Sequence, residues 1–188
     1  MGIKNLQFLL FLICDQTIFA QNNIDTTAII IQLSAIHDRD QKTRSVGDSI
    51  QYADYIDSCN LAQVEVLISL YGWPGKSFVG PAGNNTIFLV IQHADLATQE
   101  KYFPLFKQSV EQGESRASDL AYLEDRILMR QGKKQLYGSQ VVFNNTGGQE
   151  FYPIEDEKNV NVRRKNVGLQ PLEEYASYFG IDYKLPSQ

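Results

Sequence analysis

Histidine and cysteine are scarce, two of each in 188 residues, and one of the cysteines lies in an N-terminal segment read below as removable. A closed structural zinc site of the usual His and Cys composition is therefore excluded. Basic residues are not in excess. Seventeen Lys and Arg stand against 22 Asp and Glu, a formal charge of -5 with no basic run, so nucleic-acid affinity built on neutralising phosphates is excluded as well. No apolar stretch reaches the roughly 20 residues of a membrane-spanning helix. Low-complexity tracts and internal repeats are absent, which excludes a disordered or collagen-like chain. Also missing are a Gly-x-Ser-x-Gly elbow, a phosphate-binding Gly-rich loop ending in Lys-Ser or Lys-Thr, and a His-Glu-x-x-His zinc helix. A carboxylate-rich Ca²⁺ or Mg²⁺ site has no loop signature here, and no cofactor is expected.

What is present begins with Lys4 and the apolar run Leu6 to Cys14, followed by Ile18-Phe19-Ala20 before Gln21. A positive start, a short apolar core and a small residue at the cut read as a signal peptide over residues 1–20. This places the protein outside the cytoplasm, in the periplasm or secreted, with no membrane attachment after cleavage. Lipidation at Cys14 is the weaker alternative, because Ile13 stands where a small residue is needed. With Cys14 removed, Cys59 has no intramolecular partner, and stability rests on packing. Residues 21–188 are long enough to bury a core without a staple.

Beyond Ala20 the apolar residues recur mostly at helical spacing. Ala28, Ile31 and Ala35 suggest a helix ending near Arg44, and Leu61, Val64, Leu67, Ile68 and Tyr71 a helix closed by Gly72. Gly80, Pro81 and Gly83 read as a loop. The run Ile87, Phe88, Val90, Ile91 reads as buried helix rather than strand, for want of a turn signal before Asp95. Tyr102, Phe106 and Val110 form a helix with Pro104 near its first turn. Ser115 is placed to cap the next helix, which carries Leu120, Leu123 and Ile127 and closes at Gly132. Leu136 to Phe143 and Glu150 to Ile154 flank Asn144 to Gly148, a β-hairpin near 136–154. Two short helices follow, one closing at Gly168 and one opening at Pro171. The reading is a single compact multi-helix domain over 21–188, mainly α with one β-hairpin (α+β).

Asp40-Gln41-x-x-Arg44, Asp57-x-x-Asn60, Gly72-Trp73-Pro74, Gln92-His93-Ala94-Asp95, Tyr122-Leu123-x-Asp125-Arg126, Gln135-x-Tyr137-Gly138-x-Gln140 and Pro153-Ile154-Glu155-Asp156, with Arg163-Arg164 after them, resemble a family of bacterial proteins known only as a domain of unknown function. The likeness runs from about Ile30 to Tyr175 and departs at Ser139, where the family often has Thr. It supports the domain boundaries and the choice of site residues. It supplies no reaction.

Chemistry must come from the residues themselves. In a helix Gln92 and Asp95 share a face, while His93 points about 100° away from Gln92. A carboxylate brought in by folding, Asp125 or Asp40, is then the expected orienter of His93 as a general base. Adjacent Asp125 and Arg126 diverge, so each should meet a partner on another element, an acidic residue in the case of Arg126. Gln135, Tyr137 and Ser139 would alternate along one strand face, with Gln140 on the other. Asn84-x-Thr86 and Asn144-x-Thr146 match glycosylation acceptors and hint at surface loops.

Two functions follow. In the first, an exported domain binds a small-molecule or peptide ligand in a polar pocket through Gln92, Asp95, Tyr137, Gln140, Arg44 and Trp73. In the second, a hydrolase uses His93 as general base with Asp125, and Arg126 or Tyr137 stabilises an anion. A shared polar centre is expected, in which Tyr137 or Gln140 approaches His93.

Overall fold

Helices form wherever an apolar stripe can be buried, and five long ones build the body of the protein. The computed structural model describes residues 26–46 and 50–186. The segment read as an export signal lies outside the described residues. α1 (Thr26–Val46) buries Ile29, Leu33 and Ile36, and α2 (Ile50–Tyr71) buries Ile56, Val64, Leu67 and Ile68. α3 (Lys76–His93) packs against α1, α2, α4 (Leu96–Glu111) and α5 (Ala117–Arg130). Being covered on several sides, it buries Ile87, Phe88, Val90 and Ile91 together, which is why its apolar run shows no helical alternation.

Gly80 interrupts α3 at φ 73°, ψ 165°. Pro81 restarts the helix where a missing amide costs nothing, so the loop expected at Gly80 to Gly83 is a kink within α3. At Gly83 the lack of a side chain has a second use. A Cβ there would stand 3.0 Å from Val79 Cβ and 3.1 Å from Leu33 Cδ1, which sets how closely α1 and α3 approach. Gly72, Gly113 and Gly132 adopt positive φ just after α2, α4 and α5, as their positions predict. Between α2 and α3, Trp73 is 7% exposed and stacks on Phe106 with ring centroids 4.2 Å apart.

Three local expectations are corrected. Asp95 is not on α3; it caps α4, its carboxylate accepting from Thr98 N at 2.8 Å, so it shares no helical face with Gln92. Pro104 consequently lies inside α4, not in its first turn. Ser115 does not cap α5. Its hydroxyl accepts from Asn84 Nδ2 at 2.9 Å and pairs with Ser109 Oγ at 2.7 Å, tying the start of α5 to α3 and α4.

After α5 the chain forms a smaller unit. β1 (Val141–Phe143) pairs antiparallel with β2 (Gln149–Phe151), Val142 opposite Glu150. A 3₁₀ turn (Glu157–Asn159), α6 (Val160–Asn166) and α7 (Leu172–Ser177) follow. Ile154, Val160 and Leu172 make a second apolar cluster with Phe151 and Tyr175 packed on it. The domain is mainly α with one small hairpin. No helix among the described residues is long and apolar enough to cross a membrane.

Candidate functional site

The buried stripe of α1 runs Ile29, Leu33, Ile36, Asp40, Thr43. A carboxylate thus occupies a position whose neighbours one turn away are apolar, and Asp40 is 2% exposed. Burying it requires partners, and α3 together with the last turns of α1 itself delivers them. His93, the last residue of α3, places Nδ1 2.9 Å from Asp40 Oδ1. Gln41 Nε2 donates to Asp40 Oδ2 at 2.8 Å, and Arg44, one turn along α1, reaches Oδ1 at 3.2 Å. Burial alone would raise the carboxyl's pKa, but the hydrogen bond and charge of His93, with the charge of Arg44, outweigh it and hold the group below its ordinary value.

Asp40 is therefore a carboxylate that only accepts, and the hydrogen between it and His93 belongs to Nδ1. Whenever the ring is neutral, Nε2 carries its lone pair. Arg44 Nη2 also bonds Asp57 on α2, at 2.8 Å to Oδ1 and 3.1 Å to Oδ2. Beneath this group Arg39 Nε donates to the buried Asn60 Oδ1 at 3.2 Å, again joining α1 to α2. His93 lines a cavity of about 270 Å³ whose other walls are Asp54, Asp57, Ser58, Leu61, Ala94 and Asp95. A histidine fixed by a buried carboxylate and facing an open cavity can accept a proton. Asp40, Asp57 and His93 are also a mixed carboxylate and imidazole donor set of the kind that ligates metal ions.

A second polar knot sits at the junction of α5 with the segment before the hairpin. Asp125, fully buried, accepts from three backbone amides: Leu136 N at 2.7 Å and Tyr137 N at 3.0 Å on Oδ1, and Ser139 N at 2.9 Å on Oδ2. Its carboxyl is raised by burial, although each of these N–H groups favours the charged form. Residues 135–140 are consequently not an alternating strand. They wrap the carboxylate, and Gln135, wholly buried, braces the turn by donating to Gln140 O and Tyr152 O and accepting from Gln140 N. Asp125 thus holds backbone and not His93; of the two candidate orienters it is Asp40 that reaches the imidazole.

Arg126 meets no carboxylate among the described residues. Nε donates to Gln140 Oε1 and Nη1 to the main-chain oxygen of Gln92, both at 3.2 Å, which corrects the expected acidic partner. Burial, then the like charges of Arg130 and Arg44, lower its pKa to about 10. Gln99 Nε2 donates to the same Gln92 oxygen at 2.7 Å, and Arg130 to Ala94 O at 2.6 Å. Three side chains thus secure the backbone on either side of His93. The shared centre exists as this indirect link: Gln140 reaches the residue beside His93 through Arg126, and no direct bond from Tyr137 or Gln140 to His93 is seen among the described residues. The Tyr137 hydroxyl pairs instead with Glu124, and its pKa is pushed up to about 12, by burial first and then by the charges of Glu124 and Asp125.

Of the remaining sequence candidates, Arg44 and Asp95 belong to the His93 cavity region and Trp73 to the core between α2 and α4. Gln92 has a buried side-chain oxygen with no hydrogen-bond partner among the described residues, while its main-chain oxygen accepts from Gln99 and Arg126. Asp57 is the member of the His93 cluster that sequence reasoning did not select. It is only a quarter exposed, yet it flanks the buried face of α2 next to Ile56, and no apolar periodicity marks it. Asp40 did carry a signal, a charge at helical spacing after Ile29, Leu33 and Ile36, although the stripe read from the sequence, Ala28, Ile31 and Ala35, is exposed in the structure.

The model of a family of unknown function, DUF6624, matches residues 15–187. The chain belongs to that family. No curated protein matches the chain, and no solved structure does. Both polar knots, and every motif on which the resemblance was drawn, fall within the matched span.

Proposed function

We propose that the protein is a hydrolase in which His93 acts as general base. The observation that carries this reading is the 2.9 Å bond from His93 Nδ1 to the buried Asp40, at the wall of a cavity large enough for a small substrate group. Asp40 fixes the tautomer and stabilises the imidazolium that forms once Nε2 has taken a proton from a water or substrate hydroxyl. The cation nearest this centre is Arg44, bonded to both Asp40 and Asp57. It, rather than Arg126 or Tyr137, is the group bonded to the carboxylate that orients the base, although it is not one of the cavity's walls. Arg126 and Arg130 act on the base indirectly, by holding the carbonyls of Gln92 and Ala94 on either side of it.

The reaction is placed outside the cytoplasm, a reading supported by Lys4, the apolar run to Cys14 and the cut after Ala20. Purified protein screened against pooled ester, amide and glycoside substrates tests the activity. His93→Gln and Asp40→Asn should each lower turnover by roughly 10²–10⁴-fold, the usual worth of a positioned base, with an unchanged circular dichroism spectrum for His93→Gln. Ligand retention without turnover in wild type, unaffected by His93→Gln, would leave a binding domain instead.

A further inference from the structure

Asp40, Asp57 and His93 come from three different helices, yet each places one ligand atom within 4.8 Å of the other two. Donors around a tetrahedral ion with bonds near 2.1 Å stand about 3.4 Å apart, so a small inward movement of Asp57 completes the set. A positive charge already stands between the carboxylates. Arg44 Nη2 lies 3.2 Å from Asp40 Oδ1 and 2.8 Å from Asp57 Oδ1, bridging two helices as a divalent cation would. The two kinds of partner differ in how easily they leave. The Arg44 side chain is 36% exposed at the end of α1 and can swing into solvent, whereas Asp40 is buried and cannot follow.

We infer that Asp40, Asp57 and His93 form a binding site for a divalent transition-metal ion, with the Arg44 guanidinium holding its place in the metal-free protein. One imidazole nitrogen among carboxylates suits Zn²⁺ or Mn²⁺ better than Ca²⁺ or Mg²⁺, which prefer oxygen alone. Water from the cavity beside Ser58 and Asp95 fills the remaining positions. The site goes beyond the general-base reading and has a consequence for it. The ion needs the lone pair of His93 Nδ1, the same nitrogen that carries the hydrogen bonded to Asp40, so metal loading and base catalysis exclude one another.

Calorimetric titration of chelator-treated protein with Zn²⁺, and with Mg²⁺ for comparison, tests the site without any assay of turnover. One equivalent of Zn²⁺ should bind, and Mg²⁺ should bind far more weakly. Asp57→Asn should raise the Kd roughly 10-fold or more, and Arg44→Met should lower it because the competing cation is gone. His37→Ala, which removes the protein's other imidazole, half-exposed on α1 and outside the cluster, should leave the Kd unchanged. Zn²⁺ affinity indifferent to Asp57→Asn in a variant with native circular dichroism, weakened by Arg44→Met, or abolished by His37→Ala would overturn the site. Where turnover is found, Zn²⁺ should suppress it. Activation by Zn²⁺ at a site that passes the binding tests would uphold the metal site and overturn the general-base reading alone.

Discussion

Asp125→Asn probes how a single buried carboxylate shapes the segment that supports the site. The wild-type carboxylate serves three N–H groups with two oxygens, Leu136 and Tyr137 on Oδ1 and Ser139 on Oδ2. Asparagine keeps one oxygen and turns an NH₂ toward the other position, so one buried N–H loses its acceptor and faces a donor. A buried group left unsatisfied costs about 1–3 kcal/mol, and the charge-assisted character of the remaining bonds is lost as well. The expected destabilisation is about 2–3 kcal/mol for Asp125→Asn and about 3–5 kcal/mol for Asp125→Ala, which orphans all three donors. With a urea slope near 2 kcal/mol per molar, the unfolding midpoint of Asp125→Asn falls by about 1–1.5 M. Equilibrium urea unfolding followed by circular dichroism measures it, and an unchanged slope shows that stability alone has moved. A midpoint within about 0.3 M of wild type, less than the cost of one orphaned N–H, would refute the argument that Asp125 organises residues 135–140.

Glu124, raised above the ordinary carboxyl range by burial and then by the charge of Asp125, gives a pH prediction. Its folded form holds a proton that the unfolded chain releases near 4.5, so its contribution to stability is present at low pH and lost as pH rises through the folded pKa. The stability of Glu124→Gln relative to wild type should therefore grow from pH 4.5 to 8, and a difference constant across that range would count against the shift. Trp73 is the single tryptophan, so its fluorescence reports the core directly. Native emission should be blue-shifted and Trp73→Ala should cost about 3–5 kcal/mol; water-like emission with wild-type stability would contradict its stacking on Phe106. Intact-mass analysis of exported protein should find Gln21 at the N-terminus, and a mature chain retaining Met1 would remove the proposed compartment.

The elements were written locally, and local physics was enough to read them. Apolar repeats on α2, α4 and α5 and the glycines that end them at positive φ are decided within a few residues, because helix periodicity and the conformational freedom of glycine act over one or two turns. The hairpin was legible for the same reason, though only its 141–143 and 149–151 arms pair. Residues 135–140 misled because their alternation was real while their hydrogen bonds were claimed by Asp125, a competitor 10 to 15 residues back that no local pattern reveals. The α3 run was legible as helix only by elimination, since a helix enclosed on several sides loses the amphipathic signature.

The site lay beyond such reasoning in one decisive respect. Sequence named His93 as the base and both Asp40 and Asp125 as possible orienters, and nothing in the chain could choose between residues 53 and 32 positions away. Packing of α1 against α3 chose, bringing Asp40 to His93, while the backbone amides after α5 took Asp125. Packing of α2 on α1 drew in Asp57, and packing of α5 on α3 sent Arg126 to neutral oxygens instead of an acid. A side chain's chemistry belongs to its residue type, but its partner is settled by which helices share a face. That is a property of the folded whole, set by the burial of apolar stripes that have no part in the chemistry they bring together.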